Sequence, residues 1–159
     1  MTSPDRVGRA VFALLVIACF AAFFVTQRLK HTPTAVQRFQ LTPFFSPTPT
    51  GHVKEESISF KLAQSDEGMI SIINAKGDVV ATLVREQPLE RYKQFSLRWN
   101  GRRGTATRYR RLAGTSGHTI LLPLNDGPLA PAGEYRVRLN LRRQNRAIFS
   151  PRSFTLVRR

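Results

Sequence analysis

The sequence predicts an all-β domain, an antiparallel β-sandwich, preceded by a single N-terminal transmembrane α-helix. Three observations predict it. Residues Ala10 to Val25 read AVFALLVIACFAAFFV, a run with no charge, no proline and no strongly polar group. From Lys54 onward, apolar residues recur at every second position between turn signals, the period of half-buried strands. That same region carries no apolar stripe at helical spacing.

The chain divides accordingly into a basic tail (1–9), a membrane helix (10–29), a linker (30–50) and a β-domain (51–159). Of the 159 residues, roughly 25 go to the membrane segment. The remainder suffices for one continuous core. The formal charge is +15, from 25 Lys and Arg against 10 Asp and Glu. Such an excess points to anionic partners: lipid headgroups, wall polymer or nucleic acid. The lone cysteine, Cys19, lies inside the apolar run, so no disulfide can form within the chain.

In the N-terminal segment Arg6 and Arg9 precede the apolar run, and Arg28 and Lys30 follow it. Basic side chains at both ends can reach the headgroups while the middle crosses the hydrocarbon. A cleavable signal is the first alternative, but no A-x-A site occurs and bulky Phe23 and Phe24 stand where small residues are wanted. A lipoprotein signal is the second, since Val16-Ile17-Ala18-Cys19 resembles a lipobox. There, however, Phe20 to Val25 stays apolar past the cysteine. The reading favoured is an uncleaved signal-anchor with the N-terminus inside. By count, Arg6 and Arg9 against Arg28, Lys30 and Arg38 are nearly balanced or lean the other way, so this orientation follows from the short basic tail before the apolar run and from the resemblance given below.

Between His31 and Thr50 the composition shifts to Thr, Pro, Gln and Phe. Pro33, Pro43, Pro47 and Pro49 oppose helix and interior strand, so an extended linker is expected, with at most a short edge strand at Gln37–Leu41. In the domain, Ile58, Phe60 and Leu62 alternate with Ser59 and Lys61. Ile70 and Ile72 follow, then a turn at Asn74–Asp78 in which Gly77 takes positive φ. Val79, Ala81 and Leu83 return. Phe95, Leu97 and Trp99 form another strand, Thr119 to Leu124 a further one, and Tyr135, Val137, Leu139 and Leu141 the clearest. Phe154 and Leu156 close the chain. Trp99 and Tyr135 are expected in the core.

These residues resemble the FlgD-type Ig-like domain, the family named for the flagellar hook-capping protein. Phe45-Ser46-Pro47 resembles its opening segment, and Ile58–Leu62 its first strand. Ile70–Asn74, Gly77 and Val80–Val84 resemble its central hairpin, Trp99-Asn100-Gly101 its Trp-Asp-Gly element, and Pro131–Val137 its Pro-x-Gly-x-Tyr strand. The resemblance spans Phe45 to Val157 and implies an Ig-like sandwich. It also implies a non-catalytic module for assembly, presentation or adhesion outside the cytoplasm of a bacterial cell. Two departures stand out. The acidic opening is replaced by Thr48-Pro49-Thr50-Gly51-His52, so no cation is inferred, and Arg102 to Leu129 is inserted between the last two motifs.

No catalytic set emerges. His31, His52 and His118 are far apart and no cysteine can join them. Gly101-Arg102-Arg103-Gly104 lacks the strand-to-helix setting of a phosphate loop. The expectation is a protein without enzymatic activity, metal or cofactor. Charge is the one feature above background: Arg85 to Arg111 balances at +7, and Glu134 to Arg159 at +7 again. Arg136, Arg138 and Arg142, alternating with the apolar residues of their strand, are expected to form an outward row. Together with Arg102, Arg103, Arg108, Arg110 and Arg111 they are the candidate anion-binding residues, because a guanidinium binds phosphate and carboxylate bidentately. Edge protection and solubility account for such a row equally well. The partners implied are the membrane itself and another envelope protein or an anionic wall polymer or lipid. Nucleic acid is disfavoured, since no reading motif accompanies the charge.

Overall fold

The uncharged run lies within α1, Pro4–Lys30, and Pro4 suits a first turn, where the amide it lacks would have no partner. Within α1, the 21 residues Val7–Gln27 are long and apolar enough to cross a membrane, reaching about 31 Å at 1.5 Å per residue. Its apolar side chains are exposed all round, Phe12 at 70 % and Leu14 at 69 %. The hydroxyl of Thr26 donates back to the Ala22 carbonyl, so this polar group is satisfied within the helix. The computed structural model describes residues 4–30, 34–114 and 118–158 and separates into two compact units, Met1–Thr34 and Ala35–Arg159.

The second unit is a β-sandwich, as the alternation predicts. One sheet is ordered β1 (Val36–Leu41), β3 (Glu56–Leu62), β6 (Gln94–Trp99), β9 (Thr119–Leu124) and β8 (Arg108–Ala113). The other is ordered β2 (Phe44–Phe45), β12 (Phe154–Leu156), β10 (Gly133–Leu141), β4 (Asp66–Asn74), β5 (Val79–Leu89) and β7 (Gly104–Thr105). In it β11 (Arg146–Phe149) also pairs with β10. The long pairings are antiparallel. The sheets are nevertheless mixed rather than wholly antiparallel, because β2–β12, β5–β7 and β6–β9 are short parallel contacts.

The stretch expected as a linker is largely folded. β1 pairs with β3, and β2 with β12, so the β unit starts at Ala35 rather than near residue 51. The reason is apolar: Ala35 and Phe45 are buried, and Val36, Phe39 and Leu41 pack against the core. Pro43 sits between the two strands, where its missing amide costs nothing, and its carbonyl accepts from the Thr155 amide at 3.0 Å. His31 and Pro33 lie outside the described residues.

The core is filled by the inward positions of both sheets. Ile58, Phe60, Leu62, Leu97 and Trp99 come from one side; Ile70, Ile72, Leu83, Val137, Leu139 and Leu141 come from the other. At one end four rings lock together. Trp99 lies 5.6 Å from Phe45, 5.8 Å from Tyr135 and 6.0 Å from Phe154, centroid to centroid. The indole N–H donates to the Arg102 carbonyl at 2.8 Å, and the Tyr135 hydroxyl to the Pro131 carbonyl at 2.7 Å. Each ring therefore buries its apolar body without stranding its polar atom. Gly101 turns the chain beneath Trp99 with φ +77°, a conformation that a side chain would strain.

A second aromatic row, Phe39–Phe60–Phe95, crosses β1, β3 and β6 at 5.5 and 5.6 Å. Asp66, at the head of β4, ties in the β10–β11 turn. Its carboxylate accepts from the amides of Glu67 at 2.7 Å, Arg143 at 2.8 Å and Gln144 at 3.2 Å.

Removing the Trp99 ring opens a cavity between the sheets and leaves the Arg102 carbonyl without its donor. Trp99→Ala is expected to destabilise the β unit by about 3–5 kcal/mol. Thermal unfolding of the detergent-solubilised chain checks this, and an unchanged melting temperature contradicts the placement of Trp99 at the centre of the core.

Candidate functional site

The eight arginines singled out in the sequence do not converge on one face. Arg136, Arg138 and Arg142 belong to β10 and its end; Arg108, Arg110 and Arg111 lie on β8, the outer strand of the opposite sheet. Arg102 and Arg103 occupy the loop between β6 and β7.

On β10 the expected row is broken. Arg136 is exposed, directly across from Ile73 of β4. Arg138 is half-buried between Ser71 of β4 and Phe149 of β11, and its Nε has no hydrogen-bond partner. Arg142 lies past the end of β10, its Nη1 3.2 Å from Glu67 Oε2. The alternation places these residues on the outer face correctly. It does not reveal the neighbouring strands, and β4 supplies both the carboxylate that neutralises Arg142 and the surface that takes in Arg138.

The loop arginines act largely through their backbone. Arg102 N–H donates to Asn100 Oδ1 at 3.0 Å, and Arg102 Nη1 reaches the Gly127 carbonyl at 3.2 Å. Arg103 exchanges backbone bonds with Pro128 and Gly127. This loop is anchored by Asn125, buried within the inserted segment, whose amide donates to the carbonyls of Gly104 at 2.8 Å and Thr82 at 3.3 Å.

β8 differs. Arg108, Tyr109, Arg110 and Arg111 are all exposed. Arg108 meets Asp126 at 3.5 Å with both side chains more than 70 % exposed, an ion pair of small worth. The side chains of Arg110 and Arg111 have no ion-pair or hydrogen-bond partner among the described residues. Arg111 also borders an open cavity of about 480 Å³, whose rim carries Glu90, Lys93, Phe95 and His118. Of the histidines, His52 and His118 are exposed. Among the described residues no three His, Cys, Asp or Glu side chains gather as metal ligands would.

Sequence reasoning passed over Glu56. It precedes Ile58, Phe60 and Leu62 at the same parity, and that spacing alone turns it inward. It is fully buried, with Oε1 accepting from the Thr42 amide at 2.8 Å and Oε2 without a partner. Burial pushes its carboxyl up to about 8, against the lowering effect of the Thr42 bond. Asp66 goes the other way. Burial alone would raise it, but the backbone donors from Arg143, Glu67 and Gln144 outweigh burial and hold it below the usual carboxylate range.

No protein-family model matches the chain, and no curated protein matches it either.

The two carboxyls give opposite pH dependences. Folded Glu56 keeps a proton that the unfolded chain releases near 4.5, so its stabilising effect is complete below 4.5 and is lost as pH rises towards about 8. Glu56→Gln should flatten this loss, which is on the order of a few kcal/mol, and leave the mutant the more stable protein at about pH 8. Asp66 stabilises above its unfolded value of 3.8, and that contribution disappears as pH falls through its lowered folded value. Asp66→Asn is expected to cost about 1–3 kcal/mol at neutral pH, since three part-buried backbone amides lose a charged acceptor. Denaturant titrations of the three proteins across pH test both signs.

Proposed function

We propose that this chain is a non-catalytic, single-pass membrane protein that displays an Ig-like sandwich outside the cytoplasm as an interaction module of the bacterial cell envelope. The observation that carries this reading is α1. Its apolar side chains are exposed all round over Val7–Gln27, which is untenable in water and favourable in hydrocarbon. A helix needed only to fill a soluble core would be covered by it.

The Ig-like assignment is supported by two features. An indole is packed between the sheets, and a tyrosine hydroxyl is bonded to the carbonyl four residues upstream, as in the corner that begins a strand of such domains. The resemblance to FlgD-type domains rests on the sequence motifs around these same residues. The basic tail before α1 favours the N-terminus inside, which puts the β unit on the far side of the bilayer.

A second reading is favoured by the charge. From Ala35 on there are 21 Lys and Arg against nine Asp and Glu, and few of the arginines are paired. Such a surface suits a phosphate- or carboxylate-bearing polymer or lipid.

If the anchor reading is right, the protein stays in the membrane pellet at alkaline carbonate, and its mature N-terminus maps to Met1 or Thr2. Protease added outside intact spheroplasts removes the β unit but leaves the tail. An N-terminus at a lipid-modified Cys19, or release by carbonate, refutes the anchor. Protection from external protease refutes the orientation alone.

A further inference from the structure

A sheet edge presents unpaired backbone N–H and C=O groups, and natural proteins blunt such edges by shortness, bulges or cover. Most edges of this sandwich are blunted. β2 and β7 are two residues each, β11 is four, and the part of β5 beyond β7 is broken by register shifts, by Glu86 at φ +47° and by Pro88. β1 carries a register shift between Gln37 and Gln40, with Arg38 at φ +50°. β8 is the exception. It ends the five-stranded sheet, and its six residues pair with β9 in unbroken register from Arg108↔Leu124 to Ala113↔Thr119. Its backbone bonds only to β9 among the described residues, so the opposite edge is open over its whole length.

The side chains on this edge state what fits it. Arg108 and Arg110 share one face with Leu124 and Leu122 across the pair, and Tyr109 and Arg111 share the other with Pro123 and Leu121. Three arginines in four positions repel a second copy of the same strand laid alongside, because like charges directly opposite are destabilising. They attract carboxylates, which a guanidinium binds with two parallel bonds. Alternate side chains of an added strand recur every 6.6–6.8 Å, roughly the spacing of Arg108 and Arg110, so acidic residues at every second position fall opposite them.

We propose that β8 is a docking edge for an extended acidic segment of another protein, which adds as a sixth strand to this sheet and places its alternate carboxylates on the face of Arg108 and Arg110. The proposal rests on reading the β unit as an interaction module and names its partner class. Backbone pairing supplies affinity, and the arginines supply choice.

The test uses the full chain in uncharged detergent micelles, so its outcome does not depend on anchoring or orientation. Two labelled peptides of about seven residues are compared, one alternating Glu and Thr, the other the same sequence N-methylated at every residue. They carry the same charge, but the second has no backbone N–H to donate along a ladder. The unmodified peptide is expected to bind with a dissociation constant of about 1 mM or tighter, and the N-methylated peptide about tenfold or more weakly. Amide exchange at residues 108–113 should slow on binding of the first. Arg108→Glu with Arg110→Glu should abolish binding at an unchanged melting temperature. If that double change unfolds the protein, the Gln pair replaces it and should weaken binding about tenfold. Equal binding of both peptides would mean a diffuse anion surface of the sort lipid headgroups also meet, and the proposal falls. It falls equally if no binding is seen at about 1 mM, or if exchange at 108–113 is unaffected.

Discussion

The sandwich depends on the packing of Trp99 against three rings from the facing sheet. Phe45, Tyr135 and Phe154 are all in the seven-stranded sheet or its edge, and Trp99 ends β6 in the other. Backbone ladders hold each sheet together, but they contribute nothing across the gap between sheets. That gap is closed by apolar contact, and the aromatic cluster is its densest part. It also fixes the loops at that end, because the indole N–H and the tyrosine hydroxyl each find a backbone carbonyl. One set of rings thus sets both the sheet separation and the course of the chain around Arg102 and Pro131.

Elsewhere the long connections are held by single buried polar side chains rather than by further apolar mass. Asp66 gathers the β10–β11 turn, and Asn125 gathers the inserted segment onto β5. Both work by offering one compact group to several backbone partners. This is economical in a domain with one core, and it frees the inserted segment to extend the five-stranded sheet outward. The positive charge follows the same geometry. On β10, in the middle of a sheet, Arg138 is drawn in between β4 and β11 while Arg136 stays exposed. On β8, along an edge, all three arginines stay in water.

Much of this could be read from the chain, and what could not has definite causes. Alternation at Ile58–Leu62, Phe95–Trp99 and Tyr135–Leu141 sets which side chains face inward, and the core follows those positions. The inward turn of Glu56 obeys the same parity and was legible in principle. It went unnoticed because a carboxylate is not looked for among core residues. The proline-rich stretch from His31 to Thr50 misled for another reason. Two-residue pairings such as Phe44–Phe45 have no period to detect, and their stability comes from distant residues in β12. The arginine surface is a third case. Periodicity gives the face of a strand but not the strand beside it, so the carboxylate of Glu67 and the covering of Arg138 are invisible in sequence. The open edge of β8 is invisible too, since it depends on sheet order.

Glu56 also joins two parts of the fold through one group. Its carboxyl holds the Thr42 amide where the chain passes from β1, in one sheet, to β2, in the other, and Thr42 is bound there by the Ser57 backbone as well. In the β3–β6 pairing Glu56 lies directly across from Trp99. The end of the sandwich where the rings lock the two sheets is thus also the end that carries a buried carboxyl, and proton concentration acts on the fold beside its densest packing rather than at a remote rim.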